Sequence, residues 1–203
     1  MKIKTLHLGL IKTNCYLIST EKAAVVIDPG FDRPATLEFL NENSDKERLI
    51  LLTHAHFDHI GGAEALREKT GVRIGIGAPD AEGLSDTKLN LSDMFHAKIN
   101  PFKPDFTYEN GDKITVGDIE LKVISTPGHT AGGVSYLTED KLFSGDTLFE
   151  NSIGRTDFPG GDLKVLKRSV EKLFTLPPET KVFPGHGYST TIAREKEYNI
   201  FVR

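Results

Sequence analysis

The chain has very little cysteine, no long apolar run and no excess of positive charge. Each absence removes a class of function. Its one cysteine, Cys15, cannot close an internal disulfide, and no Cys-x-x-Cys exists to supply a thiolate metal cage. Cys15 lies in the apolar stretch Cys15-Tyr16-Leu17-Ile18, where burial as a small hydrophobe is the expected fate. No segment approaches the length of a membrane span, and Met1–His7 opens no secretory signal, so the cytoplasm is the expected compartment. With 29 acidic against 25 basic residues the formal charge is −4, which argues against a general affinity for nucleic acid.

The 203 residues suit one domain with a substantial core. Apolar strands are expected at Ala24–Ile27, Leu49–Leu52, Ile119–Ile124, Val134–Leu137, Leu142–Ser144 and Lys181–Phe183. Leu163, Leu166, Val170, Leu173 and Phe174 recur at helical spacing behind Asp162, a natural N-cap. Further helices are expected at Pro34–Asn43, Ile60–Lys69 and Thr190 to about Asn199, and residues 77–105 read as a long connection. Strands and helices alternate in both halves. That order suggests an α+β fold of two sheets packed face to face with helices outside.

What the chain does hold is histidine in one pattern. Thr53-His54-Ala55-His56-Phe57-Asp58-His59 follows an apolar strand, and His129, Asp146 and His186 stand singly at long intervals. Neutral imidazoles and carboxylates suit zinc, with iron and manganese also acceptable. Seven such residues exceed the need of one tetrahedral ion and fit two ions sharing a carboxylate. In extended chain His54 and His56 point the same way, and a helix beginning near Asp58 keeps His59 within reach. Pro29-Gly30, Pro127-Gly128 and Pro184-Gly185 read as tight turns that aim Asp28, His129 and His186 off strand ends. Asp28 is a candidate for orienting the ligand loop by hydrogen bonds. His7 and His96 have no companion motif and are expected to bind no metal.

His54-Ala55-His56-Phe57-Asp58-His59, Thr126-Pro127-Gly128-His129-Thr130, Phe143-Ser144-Gly145-Asp146-Thr147-Leu148-Phe149 and Gly185-His186-Gly187 together resemble the metallo-β-lactamase superfamily, and within it the glyoxalase II-like hydrolases. The resemblance implies an αββα sandwich, two mixed sheets with helices on both outer sides and two metals at one edge. It implies His54, His56 and His129 on one ion, Asp58, His59 and His186 on the other, and Asp146 bridging. The implied reaction is hydrolysis of a small-molecule thioester such as S-D-lactoylglutathione, with no nucleic acid or membrane partner. Two divalent ions bring hydroxide within reach at neutral pH, and Asp58 is the expected catalytic carboxylate that holds this nucleophile. A thiolate leaving group needs little protonation.

By the same resemblance Arg155 and Tyr188 contact the thiol carrier, although a salt bridge to a neighbouring acid accounts for Arg155 equally well. Asp157 departs from the family pattern, standing where an aromatic contact is expected. Residues 1–203 form a single domain in this reading, without the C-terminal helical domain of full-length relatives, which sets strict glutathione specificity aside. The alternative is a mononuclear iron persulfide dioxygenase-like oxidoreductase. Gly154-Arg155-Thr156-Asp157-Phe158 also resembles that branch, whose iron ligands match chiefly His54, His129 and Asp146. A true β-lactamase is not expected, since many of those have cysteine at the place of Asp146.

Overall fold

Strands that are apolar at every position have to be covered on both faces, and the fold supplies that cover. The computed structural model describes residues 1–31 and 34–202; Arg203, with which the expected domain ends, lies outside the described residues. One six-stranded sheet runs in the order β1 (Lys2–Leu8), β2 (Thr13–Ser19), β3 (Ala23–Ile27), β4 (Glu47–Leu52), β5 (Arg73–Gly77), β6 (Phe106–Tyr108). The other contains β7 (Lys113–Val116), β8 (Ile119–Ser125), β9 (Val134–Thr138), β10 (Lys141–Gly145), β13 (Lys181–Pro184) and β14 (Thr190–Thr191), adjacent in that order. A ribbon of β11 (Leu148–Phe149) and β12 (Ser152–Ile153) stands apart. Both large sheets are mixed: β3–β4–β5–β6 and β10–β13 pair in parallel, the rest antiparallel.

Side-chain alternation along β3 and β4 divides the core. Val25, Ile27, Leu49 and Leu51 point between the sheets and meet Val123, Tyr136 and Phe143. Val26, Ile50 and Leu52 point outward, into a layer with Leu40 of α1 (Pro34–Glu42) and Leu66 of α3 (Ala63–Thr70). On the far side Leu142 and Val182 are covered by Leu166, Val170 and Leu173 of α4 (Leu163–Leu173) and Ile192 of α5 (Ile192–Tyr198). Three apolar layers separate four structural ones, the αββα sandwich. Among the described residues no helix is long and apolar enough to cross a membrane.

Asp162 does cap α4, its carboxylate accepting from Val165 N at 3.0 Å. Two boundaries differ from expectation. The helix expected over Ile60–Lys69 is broken at Gly61-Gly62 into α2 (Phe57–Ile60) and α3, because the backbone there lies against another loop: a Cβ on Gly61 would stand 2.9 Å from the Gly30 carbonyl. Thr190 and Thr191 pair with β13 before α5 starts, and the Thr191 hydroxyl then caps that helix. Of the connection expected over residues 77–105, Gly77 ends β5, and the rest holds a 3₁₀ segment, Ala78–Leu84, as its regular structure.

Candidate metal centre

Each predicted ligand leaves the carboxyl end of a strand, the usual place for a site in such sheets. His54, His56, Asp58 and His59 follow β4, His129 follows β8, Asp146 follows β10 and His186 follows β13. Of the three Pro-Gly turns, Gly30 and Gly128 take left-handed backbone (φ 52° and 123°) as expected. Gly185 does not. It is required by closeness instead, since a Cβ there would fall 2.0 Å from Asp146 Oδ1 and 2.7 Å from His59 Cε1.

The seven side chains come together, although they span residues 54 to 186. Ligand atoms of His54, His56 and His129 lie within 4.8 Å of one another, as do those of Asp58, His59 and His186, and those of His54, His59 and Asp146. Asp146 stands between the first two groups, with Oδ1 3.4 Å from His59 Nε2 and Oδ2 3.5 Å from His129 Nε2. His186 Nε2 is 3.2 Å and His59 Nε2 3.3 Å from Asp58 Oδ2. With metal–ligand bonds of about 2.0–2.1 Å, a tetrahedron has edges of about 3.3–3.4 Å, so these separations suit groups sharing an ion. His7 instead bonds Asn14, and neither it nor His96 joins a group.

The hydrogen bonds behind the rings decide which nitrogen faces inward. His129 Nδ1 meets the Arg155 carbonyl at 2.7 Å and His186 Nδ1 meets the Ile11 carbonyl at 3.2 Å. A carbonyl only accepts, so Nδ1 carries the hydrogen and Nε2 presents a lone pair. His59 Nδ1 donates to Asp28 Oδ2 at 2.8 Å. Thr53 Oγ1 gives its own hydrogen to Asp28 and so accepts from His54 Nδ1 at 3.0 Å. Asp28, in left-handed backbone (φ 51°), also takes Thr53 N–H at 2.8 Å. What remains is telling: Nε2 of His54, His56, His59 and His129 and Oδ1 of Asp146 are buried with no hydrogen-bond partner among the described residues. Five converging orphans would be costly. Divalent cations held between these groups would satisfy them, so the donor set fits bound metal.

Electrostatics agree. Burial, reinforced by His59 and His56, pushes His54 well below its usual range; burial and then His129 bring His56 to about 3. Neutral imidazole is the ligating form. Burial would raise Asp58, yet His59, His186 and the Thr13 hydroxyl hold it at about 2. Asp146 is likewise kept well below the usual range against its burial, by His59 first. His59 moves the other way: burial opposes its charge, but Asp58, Asp146 and Asp28 raise it well above the ordinary value. The carboxylates thus create a potential that attracts positive charge.

Sequence reasoning missed four supporting residues. Asp80, in the 3₁₀ segment, is buried and joins two ligand loops: it accepts from Ala55 N at 3.1 Å, Thr130 Oγ1 at 2.8 Å and Gly132 N at 2.6 Å. Thr13 Oγ1 donates to Asp58 Oδ2 at 2.7 Å. Asn14 and Tyr16 hold the His186 loop, Asn14 Nδ2 through the Pro184 and Gly187 carbonyls, both at 3.0 Å, and Tyr16 OH through Pro184 at 2.5 Å. The sequence marked this strand only by the apolar stretch Cys15-Tyr16-Leu17-Ile18. Cys15 beside them is fully buried.

A cleft of about 450 Å³ opens above the centre, bordered by His56, Asp58, His129, Asp146 and His186 and by Arg155. Arg155 is engaged by Asp157 and exposed to solvent. Tyr188 is exposed and lies outside the cleft lining.

A family model for the metallo-beta-lactamase superfamily matches residues 8–186. The probable metallo-hydrolase YqgX of Bacillus subtilis is 36% identical over 206 residues, covering 100% of this chain and 98% of that protein. The hydroxyacylglutathione hydrolase GloC of Haemophilus influenzae is 33% identical over 208 residues, again covering 100% and 98%. Among solved structures, the BLEG-1 B3 metallo-beta-lactamase superposes with a TM-score of 0.91 at 39% identity, covering 99% of both chains. TTHA1623 in a di-iron-bound form gives 0.86 at 36% identity, covering 98% of this chain and 99% of that one. ETHE1 from Myxococcus xanthus gives 0.82 at 33% identity, covering 98% and 84%.

Proposed function

Because the chain belongs to the metallo-beta-lactamase superfamily, we propose that it is a dinuclear metal-dependent hydrolase acting on thioesters, glyoxalase II-like, with S-acylglutathiones such as S-D-lactoylglutathione among its substrates. One observation carries the reading: two separate ligand trios flank one carboxylate, with distances that suit two ions. In this reading His54, His56 and His129 hold one ion, Asp58, His59 and His186 the other, and Asp146 bridges. Zinc fits the donor set best; iron and manganese share its preferences. Residues 1–203 act as one domain.

A pair of divalent ions, when bound, supplies a water nucleophile ionised near neutral pH and a positive charge for the carbonyl oxygen. The chain does the rest. Asp58 borders the cleft and is ionised, so it can accept a hydrogen bond from the attacking water and fix its direction. Thr13 occupies one lone pair of that carboxylate and keeps its rotamer. Outside the proposed ligands, Arg155 is the one charged group among the described residues lining the cleft. No separate side-chain acid is present there to protonate a leaving group. A thiolate needs that help least, and an alkoxide or amide nitrogen more.

The relation to GloC supports thioester hydrolysis, while those to BLEG-1 and ETHE1 set the controls. The test is elemental analysis of protein purified without added metal, followed by thiol release from S-D-lactoylglutathione. Two metal equivalents and oxygen-independent release are expected. Turnover of a chromogenic cephalosporin without any thioester hydrolysis would overturn the assignment, as would one iron per chain with persulfide-dependent oxygen uptake.

A further inference from the structure

Resting on the thioester reading, we infer that the cleft selects an apolar acyl group on a thiol carrier without net negative charge, and that Asp157 sets the second preference. The walls above the centre are mostly apolar. Phe57 and Phe95 stack at 5.0 Å on one side, and Phe158 meets Phe95 edge-on at 6.1 Å. Phe149 also lines the cleft, beside His186 and 6.2 Å from that ring. Ile11 forms part of the lip, and both it and Phe95 are about half exposed (52% and 48%) although each lines the cleft. Large apolar side chains left open around a site are the usual lining for an apolar ligand. Each methylene buried there from water is worth about a fourfold gain. For a hydroxyl on the acyl chain the phenylalanine rings and Ile11 offer no hydrogen-bond partner, and Ser152 is the one hydroxyl residue on the lining, so a polar acyl group gains less against the aromatic walls.

Charge at the mouth points the same way. Arg155 Nε and Nη2 form a two-pronged bond with Asp157 Oδ1 and Oδ2, at 2.7 and 2.6 Å. Its guanidinium carbon also lies over Phe158, 3.9 Å from the ring centroid. The mouth's cation is thus neutralised in place and used as a lid on an aromatic wall. Glutathione brings two carboxylates and one ammonium, and its net negative charge must compete with Asp157 for Arg155. An uncharged carrier faces no such competition.

The test uses metal-loaded protein and acetyl, butyryl, hexanoyl and D-lactoyl thioesters, each on N-acetylcysteamine and on glutathione. From acetyl to hexanoyl, kcat/KM should rise about tenfold or more, with hexanoyl above lactoyl on both carriers. For one acyl group, N-acetylcysteamine should exceed glutathione, and Asp157→Asn should narrow that gap severalfold, through KM. Phe95→Ala, at a half-exposed position, should lower the hexanoyl-to-acetyl ratio while the thermal denaturation midpoint checks that the fold is kept. Lactoyl exceeding hexanoyl overturns the acyl preference; a carrier ratio unmoved in D157N overturns the role of Asp157. Calorimetry with S-methyl- and S-hexyl-N-acetylcysteamine, thioethers that cannot be cleaved, gives a readout free of turnover. Hydrolysis of no thioester with metal in place refutes the reaction itself. Hexyl binding no tighter than methyl then refutes the apolar cleft separately.

Discussion

The two halves of the centre are built differently. His54, His56 and His129 are all buried, and one carboxylate, Asp80, ties their two loops together through Ala55, Thr130 and Gly132. The other half is more open: the His186 side chain is 27% exposed and rides on a loop held by β2, through Asn14 and Tyr16, about 170 residues earlier in the chain. Asp28 supports both halves unequally, touching His59 directly and His54 only through Thr53. On the proposed two-ion reading, one half-site is preset by a buried acceptor between neighbouring loops and the other is assembled across the fold by a strand from its start. The first kind should hold its ion more firmly.

Substitutions that remove what the halves share should have the largest effect. Asp146→Ala takes the carboxylate from between them, and both metal content by elemental analysis and turnover should fall to background. Removing one ligand from each side comes next. His186→Ala should leave one metal equivalent on the histidine trio, whereas His56→Ala should lose the firmer site and, with it, retention of the second ion. Equal metal loss in the two variants would erase the proposed difference.

The supports behind the ligands give a smaller effect. Asp80→Asn should weaken the first half and Asp28→Asn chiefly the second, each by about 10–100-fold in metal affinity measured by chelator competition. The smallest is Tyr16→Phe. It deletes one hydrogen bond to Pro184 while Asn14 retains its own, costing about 1 kcal/mol, which thermal denaturation would show as a fall of roughly 2–4 °C.

Much of this was legible in the sequence where the physics is local. β3 and β4 are apolar at successive positions because both faces are covered, and α4 carries its apolar stripe and its cap within a dozen residues. The convergence of the seven side chains was legible because a dense H-x-H-x-D-H run follows one strand and three further residues stand singly at the ends of others. Asp80 was not: its partners lie 25, 50 and 52 positions away, and an aspartate after Ala78-Pro79 looks like any turn residue. Thr13, Asn14 and Tyr16 were hidden for the same reason. For Arg155 the sequence left a salt bridge and a substrate contact equally open, and only side-chain placement reveals the pairing with Asp157.

Arg155 contributes two separable things. Its carbonyl steadies the His129 imidazole, a task any residue in that backbone conformation performs, while its side chain reaches outward to Asp157 and Phe158. Mouth and reaction centre therefore meet at one position yet draw on different atoms. Exchanging the side chain at 155 can retune which molecules enter while the machinery beneath stays put, so this position offers a handle for evolution, or for an engineer, to redirect the enzyme without rebuilding it.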